Sequence, residues 1–337
     1  MCRVPFKWDQ SKDMPFELFT KIADELFRYA EIVDLRGWGE STMLPNFLDY
    51  VEYAAQFPCR LQLYTNLTKH SDDIWAALMR HHFTVGLSID GATAQTFEKI
   101  RQGAYFKSVQ KNLNTLAEYR DMYNCPKENI LFNTVVQKQN LHEIPELIKL
   151  AKKFGIKRIK LSPIVCSLNN PNNLLYYRNE VRTALDLAYQ ISLKEGVTIE
   201  LATSLHPNLT LKNFTLERCT HPWSHCYITS YGGVGFCDCL IAYEQYLLGN
   251  INDNSFWNIW NGDSFGSLRQ EHCKNEEKKA HTKLFSACKW CYLFRYPADV
   301  EAFLNTNAEN RRVKSNSLTT LYDDNELSYK PEDWLFR

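Results

Sequence analysis

The chain has 337 residues, of which 45% are hydrophobic and 23% are charged, as in ordinary globular proteins. Lys plus Arg and Asp plus Glu both number 39, so the formal net charge is zero, which argues against a nucleic-acid-coating protein. No apolar run approaches the roughly 18 residues that cross a bilayer, and residues 1–7 lack the apolar core of a secretory signal. We therefore expect a cytoplasmic protein without nucleic-acid or membrane partners, built as two domains or as one barrel with an extension.

Residues 1–200 alternate β-like segments with amphipathic helical segments. The predicted strands are 31–35, 61–64, 83–89, 130–136 and 158–162. Between them, apolar residues recur at helical spacing, as in Phe16, Phe19, Ile22, Ala23 and Leu26. Gly155 is placed to end the helix before the last of these strands. Repeated strand–helix steps predict a parallel sheet, and five strands are too few for an eight-stranded barrel, so we predict a partial barrel.

The predicted strands end in small or polar residues. These residues are Gly37-Trp38-Gly39-Glu40, Thr65-Asn66, Ser88-Ile89-Asp90-Gly91, Asn133 and Ser162-Pro163. In parallel α/β folds the loops that follow the strands converge and carry the chemistry. Each residue taken alone suits an ordinary turn, whereas together they predict a binding site.

Eleven cysteines, an odd number without an export signal, favour metal binding or catalysis over disulfides. Seven of them are concentrated late in the chain: Cys219, Cys226, Cys237, Cys239, Cys273, Cys288 and Cys291. Residues 202–300 have little apolar periodicity, so a bound metal would supply the missing stability. We predict three parts, residues 1–200, 201–300 and a tail of 301–337 to which we assign no function.

Four of these cysteines have the spacing of a metal site. Cys219 and Cys237 flank a glycine-rich hairpin, and Cys288 and Cys291 form a CxxC turn. Four thiolates suit either a structural Zn²⁺ or an iron–sulfur cluster, and the spacing leaves both open. Cys226, Cys239 and Cys273 are then surplus, and we interpret them as packing or bystander thiols.

The order of these segments resembles the radical S-adenosylmethionine (radical SAM) superfamily with a C-terminal SPASM/Twitch-type auxiliary cluster domain, over roughly residues 1–300. The segments that carry the resemblance are Leu35-Arg-Gly-Trp-Gly-Glu40, Val85–Gly91 with Glu98–Gly103, Phe132–Val136 with Asn140, Cys219–Cys237, Gly249–Ile251, Phe256–Asn261 and Cys288-xx-Cys291. The resemblance implies an α/β fold, a partial (β/α)6 TIM-like barrel without its first strand, and a small cysteine-rich Fe–S domain. It also implies two kinds of cofactor, S-adenosylmethionine and [4Fe–4S] clusters.

The resemblance also implies roles for individual residues. Gly37, Gly39 and Glu40 match the segment that receives the methionine amino group of S-adenosylmethionine. Ser88 is expected at its ribose or carboxylate, with Asn133 as a further cofactor-binding residue. Arg101 is expected either at the carboxylate or, equally, as a helix-surface arginine. One auxiliary [4Fe–4S] cluster is expected on Cys219, Cys237, Cys288 and Cys291.

The beginning of the chain departs from the family pattern. The family binds its radical-generating cluster through CxxxCxxC, and Cys2 occupies the place of the third cysteine, while the first two and the first strand are missing. Our hypothesis is that Met1 is an internal residue of a longer protein; the alternative is that Cys2 is merely a cysteine near a terminus. With one ligand of three, we expect that the chain as written does not generate the radical by itself.

We expect a radical SAM oxidoreductase. In this hypothesis a 5′-deoxyadenosyl radical abstracts hydrogen from a small molecule such as a sugar or aminocyclitol, or from a peptide. The auxiliary cluster accepts an electron, and a flavodoxin or ferredoxin supplies one. Two alternatives stay open: a non-catalytic Fe–S or zinc-binding relic of the fold, and a ribosomal-peptide maturase. The sequence assigns no catalytic side chain.

Overall fold

The computed structural model describes residues 13–37, 39–164, 170–202, 219–238, 240 and 244–274. The chain divides into two compact units, one over residues 15–207 and one over residues 208–337 together with 2–14. The boundaries that we drew at residues 200 and 300 stay predictions. Within the described ranges, no helix is both long and apolar enough to span a membrane.

A parallel sheet of six strands forms the first unit, and its strands are neighbours in chain order. They are β1 (Ile32–Asp34), β2 (Arg60–Thr65), β3 (Thr84–Leu87), β4 (Ile130–Val136), β5 (Arg158–Pro163) and β6 (Thr198–Leu201). The predicted partial-barrel fold is confirmed. The sequence analysis missed β6, because this edge strand is short, pairs only with β5 and is half-exposed, so it lacks a continuous apolar run.

Seven helices accompany this sheet. They are α1 (Phe16–Leu26), α2 (Phe47–Ala54), α3 (Asp72–Arg80), α4 (Ala94–Ile100), α5 (Phe106–Met122), α6 (Ile144–Lys153) and α7 (Arg178–Glu195). Gly155, with φ +67°, follows α6 and confirms the predicted helix stop, since the left-handed region favours glycine. Parallel strands that follow one another in chain order through right-handed crossovers place their helices on one face of the sheet.

The two faces of the sheet differ in chemistry. In β2, Leu61, Leu63 and Thr65 are buried while Gln62 and Tyr64, on the opposite face, are half-buried. The same alternation in β5 buries Ile159 and Leu161 and leaves the residues between them half-exposed. Since successive side chains of a strand point to opposite faces, the helix-covered face is the apolar core. We call the opposite, polar face the inner face.

The described residues of the second unit form a small antiparallel sheet and three helices. Its elements are β7 (Tyr227–Ile228), β8 (Gly233–Gly235), β9 (Gly249–Asn250), α8 (His221–Ser224), α9 (Phe256–Trp260) and α10 (Asp263–Lys274). Gly232 connects β7 to β8 with φ +88°, and a Cβ there would lie 2.7 Å from Asn250 Oδ1, so only glycine fits this turn. Val234, Phe236 and Ile251 are buried and form part of the core of this unit.

Candidate functional site

The Glu40 carboxylate joins the loop after β1 to the end of β2. Its Oε1 accepts hydrogen bonds from the hydroxyls of Thr42 and Thr65, both at 2.7 Å, and its Oε2 accepts one from Asn66 N at 2.7 Å. Thr42 and Thr65 are buried, whereas Glu40 is half-exposed. A carboxylate has about four acceptor positions, and Oε2 uses one, so this oxygen retains a lone pair for a further donor.

Gly37 and Gly39 precede this carboxylate in the same exposed loop. A Cβ built on either glycine would meet no atom of the non-adjacent described residues within 4 Å, and no positive φ is recorded at either position. The fold itself therefore does not require glycine at these positions. Their predicted role, close approach of a ligand to the backbone, stays a prediction and is compatible with this open space. Trp38 lies outside the described residues.

Ser88, directly after β3, lies beside Asn133 in the middle of β4, so the predicted position of Asn133 at a strand end is wrong. The amide of Ser88 donates to Thr65 O at 2.9 Å, and Leu87 pairs with Phe132, so Ser88 comes level with Asn133. Asn133 in turn pairs with Lys160 of β5. All three side chains are half-buried, and the structure gives none of them a side-chain hydrogen bond or ion pair with any described residue. The structure thus brings two of the predicted site residues together beside a lysine that the sequence analysis did not select.

Arg101, at the end of α4, is one-fifth exposed and pairs with the fully buried Asp90, Nε to Oδ2 at 2.7 Å. Burial raises the pKa of Asp90, an effect opposed by the charge of Arg101 and by the bond from Val135 N to Oδ1 at 2.7 Å. Arg101 is therefore not a solvated surface arginine. Its two terminal nitrogens have no hydrogen-bond partner among the described residues, which leaves them available for an anion.

Two buried side chains hold the loops that carry these residues. Asn140 donates from Nδ2 to Asp90 O and Val135 O, both at 2.9 Å, and accepts from Gln137 N at 2.8 Å. Glu143 accepts from the amides and hydroxyl of the 92–93 segment at 2.6–3.2 Å. The sequence analysis named Asn140 only as part of a motif and missed Glu143, since no local pattern marks a partner 50 residues away.

A second polar group lies lower on the inner face. Gln62 Nε2 donates to Asp34 Oδ2 at 2.9 Å, and Arg36 Nε lies 3.0 Å from the same oxygen. The Arg36 guanidinium stands 4.7 Å from the centre of the Tyr64 ring. This ring covers Gly86 of β3, where a Cβ would lie 2.4 Å from two ring atoms. Burial raises the pKa of Asp34 and of Tyr64, and in both cases the charge of Arg36 opposes the effect.

In the second unit, Cys219 lies just before α8 and Cys237 just after β8, and both are half-buried. Cys2, Cys239, Cys288 and Cys291 lie outside the described residues. Within the described ranges, no three His, Cys, Asp or Glu side chains come together as a metal site. Two of the four predicted thiolates, Cys219 and Cys237, lie within the described residues, and the four-thiolate set stays a prediction.

Arg269 of α10 fastens the segment that follows Cys219. Its Nε donates to Pro222 O in α8 at 2.9 Å, and its NH1 donates to Trp260 O at the end of α9 at 2.8 Å. The guanidinium also lies 4.4 Å from the centre of the Trp260 ring. The sequence analysis did not identify this residue, because its partners are backbone carbonyls and an aromatic ring from separate segments.

Comparison with known proteins places these features in a family. Residues 219–292 match the SPASM family, an iron-sulfur cluster-binding domain, and this range contains all four predicted cluster ligands. The chain is 24% identical to the tungsten-containing aldehyde ferredoxin oxidoreductase cofactor-modifying protein of Pyrococcus furiosus, over 80% of this chain and 79% of that protein. It is 26% identical to the mycofactocin maturase MftC of Mycolicibacterium smegmatis, over 76% of this chain but only 66% of that protein.

Among solved structures, anSMEcpe with bound AdoMet superposes with a TM-score of 0.59 at 16% identity, over 91% of this chain and 94% of that chain. The predicted relationship to radical SAM proteins with a SPASM domain is confirmed. The predicted enzyme class and the pair of cofactors, an iron–sulfur cluster and S-adenosylmethionine, are confirmed at the level of this family. The roles of individual site residues stay predictions.

Proposed function

We propose that this radical SAM protein binds S-adenosylmethionine where β1 to β4 end and uses it to abstract hydrogen from a peptide-like substrate. The observation that carries the proposal is the Glu40 carboxylate, oriented by Thr42, Thr65 and Asn66 and retaining a free lone pair. When bound and reduced at an iron–sulfur cluster, S-adenosylmethionine supplies a 5′-deoxyadenosyl radical, and the protein contributes orientation and exclusion of water.

The donors and acceptors on this edge of the sheet fit that cofactor. Glu40 offers a carboxylate to its ammonium group, a charge-assisted hydrogen bond. The terminal nitrogens of Arg101 offer donors to its carboxylate. Ser88 and Asn133 offer a hydroxyl and an amide that have no partner among the described residues, which suits the hydroxyls of a ribose. The exposed glycine loop in front of Glu40 leaves room for the backbone to approach the ligand.

In the second unit we propose that Cys219, Cys237, Cys288 and Cys291 hold one auxiliary [4Fe–4S] cluster. Support comes from the SPASM match, which spans all four, and from the positions of Cys219 and Cys237 beside short, tightly bonded elements. Four thiolates saturate such a cluster, so we infer a role in electron transfer, with a flavodoxin or ferredoxin as the external donor.

The preference for a peptide-like substrate is supported by the names of the similar proteins. MftC is a maturase, and anSMEcpe was also solved with a bound Cp18Cys peptide. A small molecule such as an aminocyclitol is the second candidate, and the Pyrococcus relative, named for modifying a cofactor, supports it.

The proposal is tested on the protein expressed from the longest reading frame that contains this chain, reconstituted anaerobically with iron and sulfide. After addition of dithionite and S-adenosylmethionine, we expect 5′-deoxyadenosine and methionine to form. Mass spectrometry detects both products. We also expect Cys237→Ala to lower the iron content, whereas Cys59→Ala, a matched change in the first unit, leaves it unaltered. Full iron content without cleavage would instead support the non-catalytic relic, and zinc in place of iron would refute the cluster.

A further inference from the structure

Three neighbouring polar side chains on the inner face lack partners among the described residues. Ser88, Asn133 and Lys160 follow one another across β3, β4 and β5 at one level of the sheet. Each is half-buried, and none makes a side-chain hydrogen bond or ion pair with the described residues. The fold does not use these three polar side chains, so their row forms a surface on which a ligand can be bound.

Lys160 differs from the other cations of the inner face. Arg36 pairs with Asp34, and Arg60, at the amino end of β2, pairs with Glu31. Glu200, which pairs in register with Lys160 across β5 and β6, instead lies 2.7 Å from Arg158 Nε. No carboxylate of the described residues lies within 4 Å of the Lys160 ammonium. The strand register thus places the Glu200 carboxylate beside Lys160, but this carboxylate forms its ion pair with Arg158.

We infer that Lys160 binds an anionic oxygen group of the substrate, a carboxylate or a phosphate. Lys160 is half-buried, and no carboxylate of the described residues compensates its charge, so an anionic group of a ligand would stabilise it. Asn133, one strand away, adds an amide donor on the same side. Lys160 is thereby a specificity-determining residue: substrates with an anion at this position bind, and their neutral analogues do not.

The inference rests on the proposed function, because it takes the inner face beside Ser88 and Asn133 as the place of the substrate. It adds a requirement on substrate chemistry that the proposed function does not contain. For a peptide-like substrate, the group would be an Asp or Glu side chain or a terminal carboxylate; for a small molecule, a carboxylate or a phosphate.

The test uses acetate and inorganic phosphate as probes on the full chain, with N-methylacetamide as the neutral control at constant ionic strength. Trace labelling with dinitrofluorobenzene, quantified peptide by peptide, reports the reactivity of Lys160. At about ten times its dissociation constant, a bound anion leaves about one tenth of the Lys160 groups free, so labelling slows about tenfold. Lys107, on the exposed surface of α5, keeps its labelling rate. If just one of the two anions slows the labelling of Lys160, the inference holds and the result identifies the group that the site binds.

The variants are compared by saturation-transfer NMR of the acetate methyl group and by phosphorus-31 line broadening of inorganic phosphate. We expect the signal to vanish in Lys160→Met, to persist in Lys160→Arg and to persist in the surface control Lys107→Met, with circular dichroism showing that all three fold. The inference is overturned if no anion protects Lys160, if Lys107 is slowed equally, or if S-adenosylmethionine alone protects Lys160 as well as acetate does. If anions protect Lys160 in a protein that does not bind S-adenosylmethionine, the proposed function is wrong. The anion site is then still supported.

Discussion

Glu40→Gln tests whether the carboxylate at the end of the first loop serves a ligand or only the fold. Glu40 Oε1 accepts two short bonds from threonine hydroxyls, and Oε2 accepts one from Asn66 N. In the variant, the amide oxygen can keep the Asn66 bond while the hydroxyls of Thr42 and Thr65 rotate to accept from the new NH₂ group. The fold then loses mainly the charge-assisted part of these bonds, about 1–3 kcal/mol of unfolding free energy.

Ligand binding should suffer separately from stability. A hydrogen bond between charged groups contributes about 1.5–3 kcal/mol, so loss of the carboxylate charge should weaken S-adenosylmethionine binding about 10- to 150-fold. The measurement is isothermal titration calorimetry with S-adenosylmethionine, alongside urea denaturation of the same samples.

Glu143→Gln is the matched control for this prediction. Glu143 also accepts backbone amides and a threonine hydroxyl, at a neighbouring loop, but has no proposed ligand. We expect a comparable loss of stability with little change in affinity. If both variants lose affinity in proportion to their stability, or if Glu40→Gln binds S-adenosylmethionine as well as the unaltered chain, then Glu40 is a structural residue and the reasoning is wrong.

Three further predictions concern the supporting structure. Gly86→Ala should lower the unfolding free energy by about 1–3 kcal/mol, because the added methyl would lie 2.4 Å from the Tyr64 ring; additive losses when it is combined with Tyr64→Ala in urea denaturation would contradict this contact. Asn140→Asp should cost about 2–4 kcal/mol in the same assay, since a carboxylate would face two carbonyl oxygens, and a neutral effect would show that these bonds are unimportant. Burial raises the pKa of Cys125 to about 11, above its ordinary 9.0, so its stabilising contribution is complete below pH 9 and is lost as the pH rises towards 11. The stability difference between the unaltered chain and Cys125→Ala should therefore fall by up to about 2 kcal/mol over that range, and a constant difference would show an ordinary thiol.

The repeated elements of the first unit could be read from the sequence because their signal is local. Alternating burial in β2, with Leu61 and Leu63 on one face and Gln62 and Tyr64 on the other, follows from the two-residue period of a strand. The glycine after α6 likewise marks its helix end within a few residues. β6 could not be predicted from the sequence, because an edge strand needs no continuous apolar run. Its formation as a strand depends on its pairing with β5.

The sequence by itself also determined the cysteine-rich second part and the small, polar residues at the strand ends, because composition and spacing are properties of one segment. Which groups pair with one another was decided only by the tertiary structure. Glu40 meets Thr65 over a separation of 25 residues, and Glu143 meets Ala92 over 51. Whether Arg158 or Lys160 takes the Glu200 carboxylate depends on the register of β5 against β6 and on the directions of the side chains. Charge pairing is a short-range interaction between distant parts of the chain, so the partners of a residue are set when the strands align.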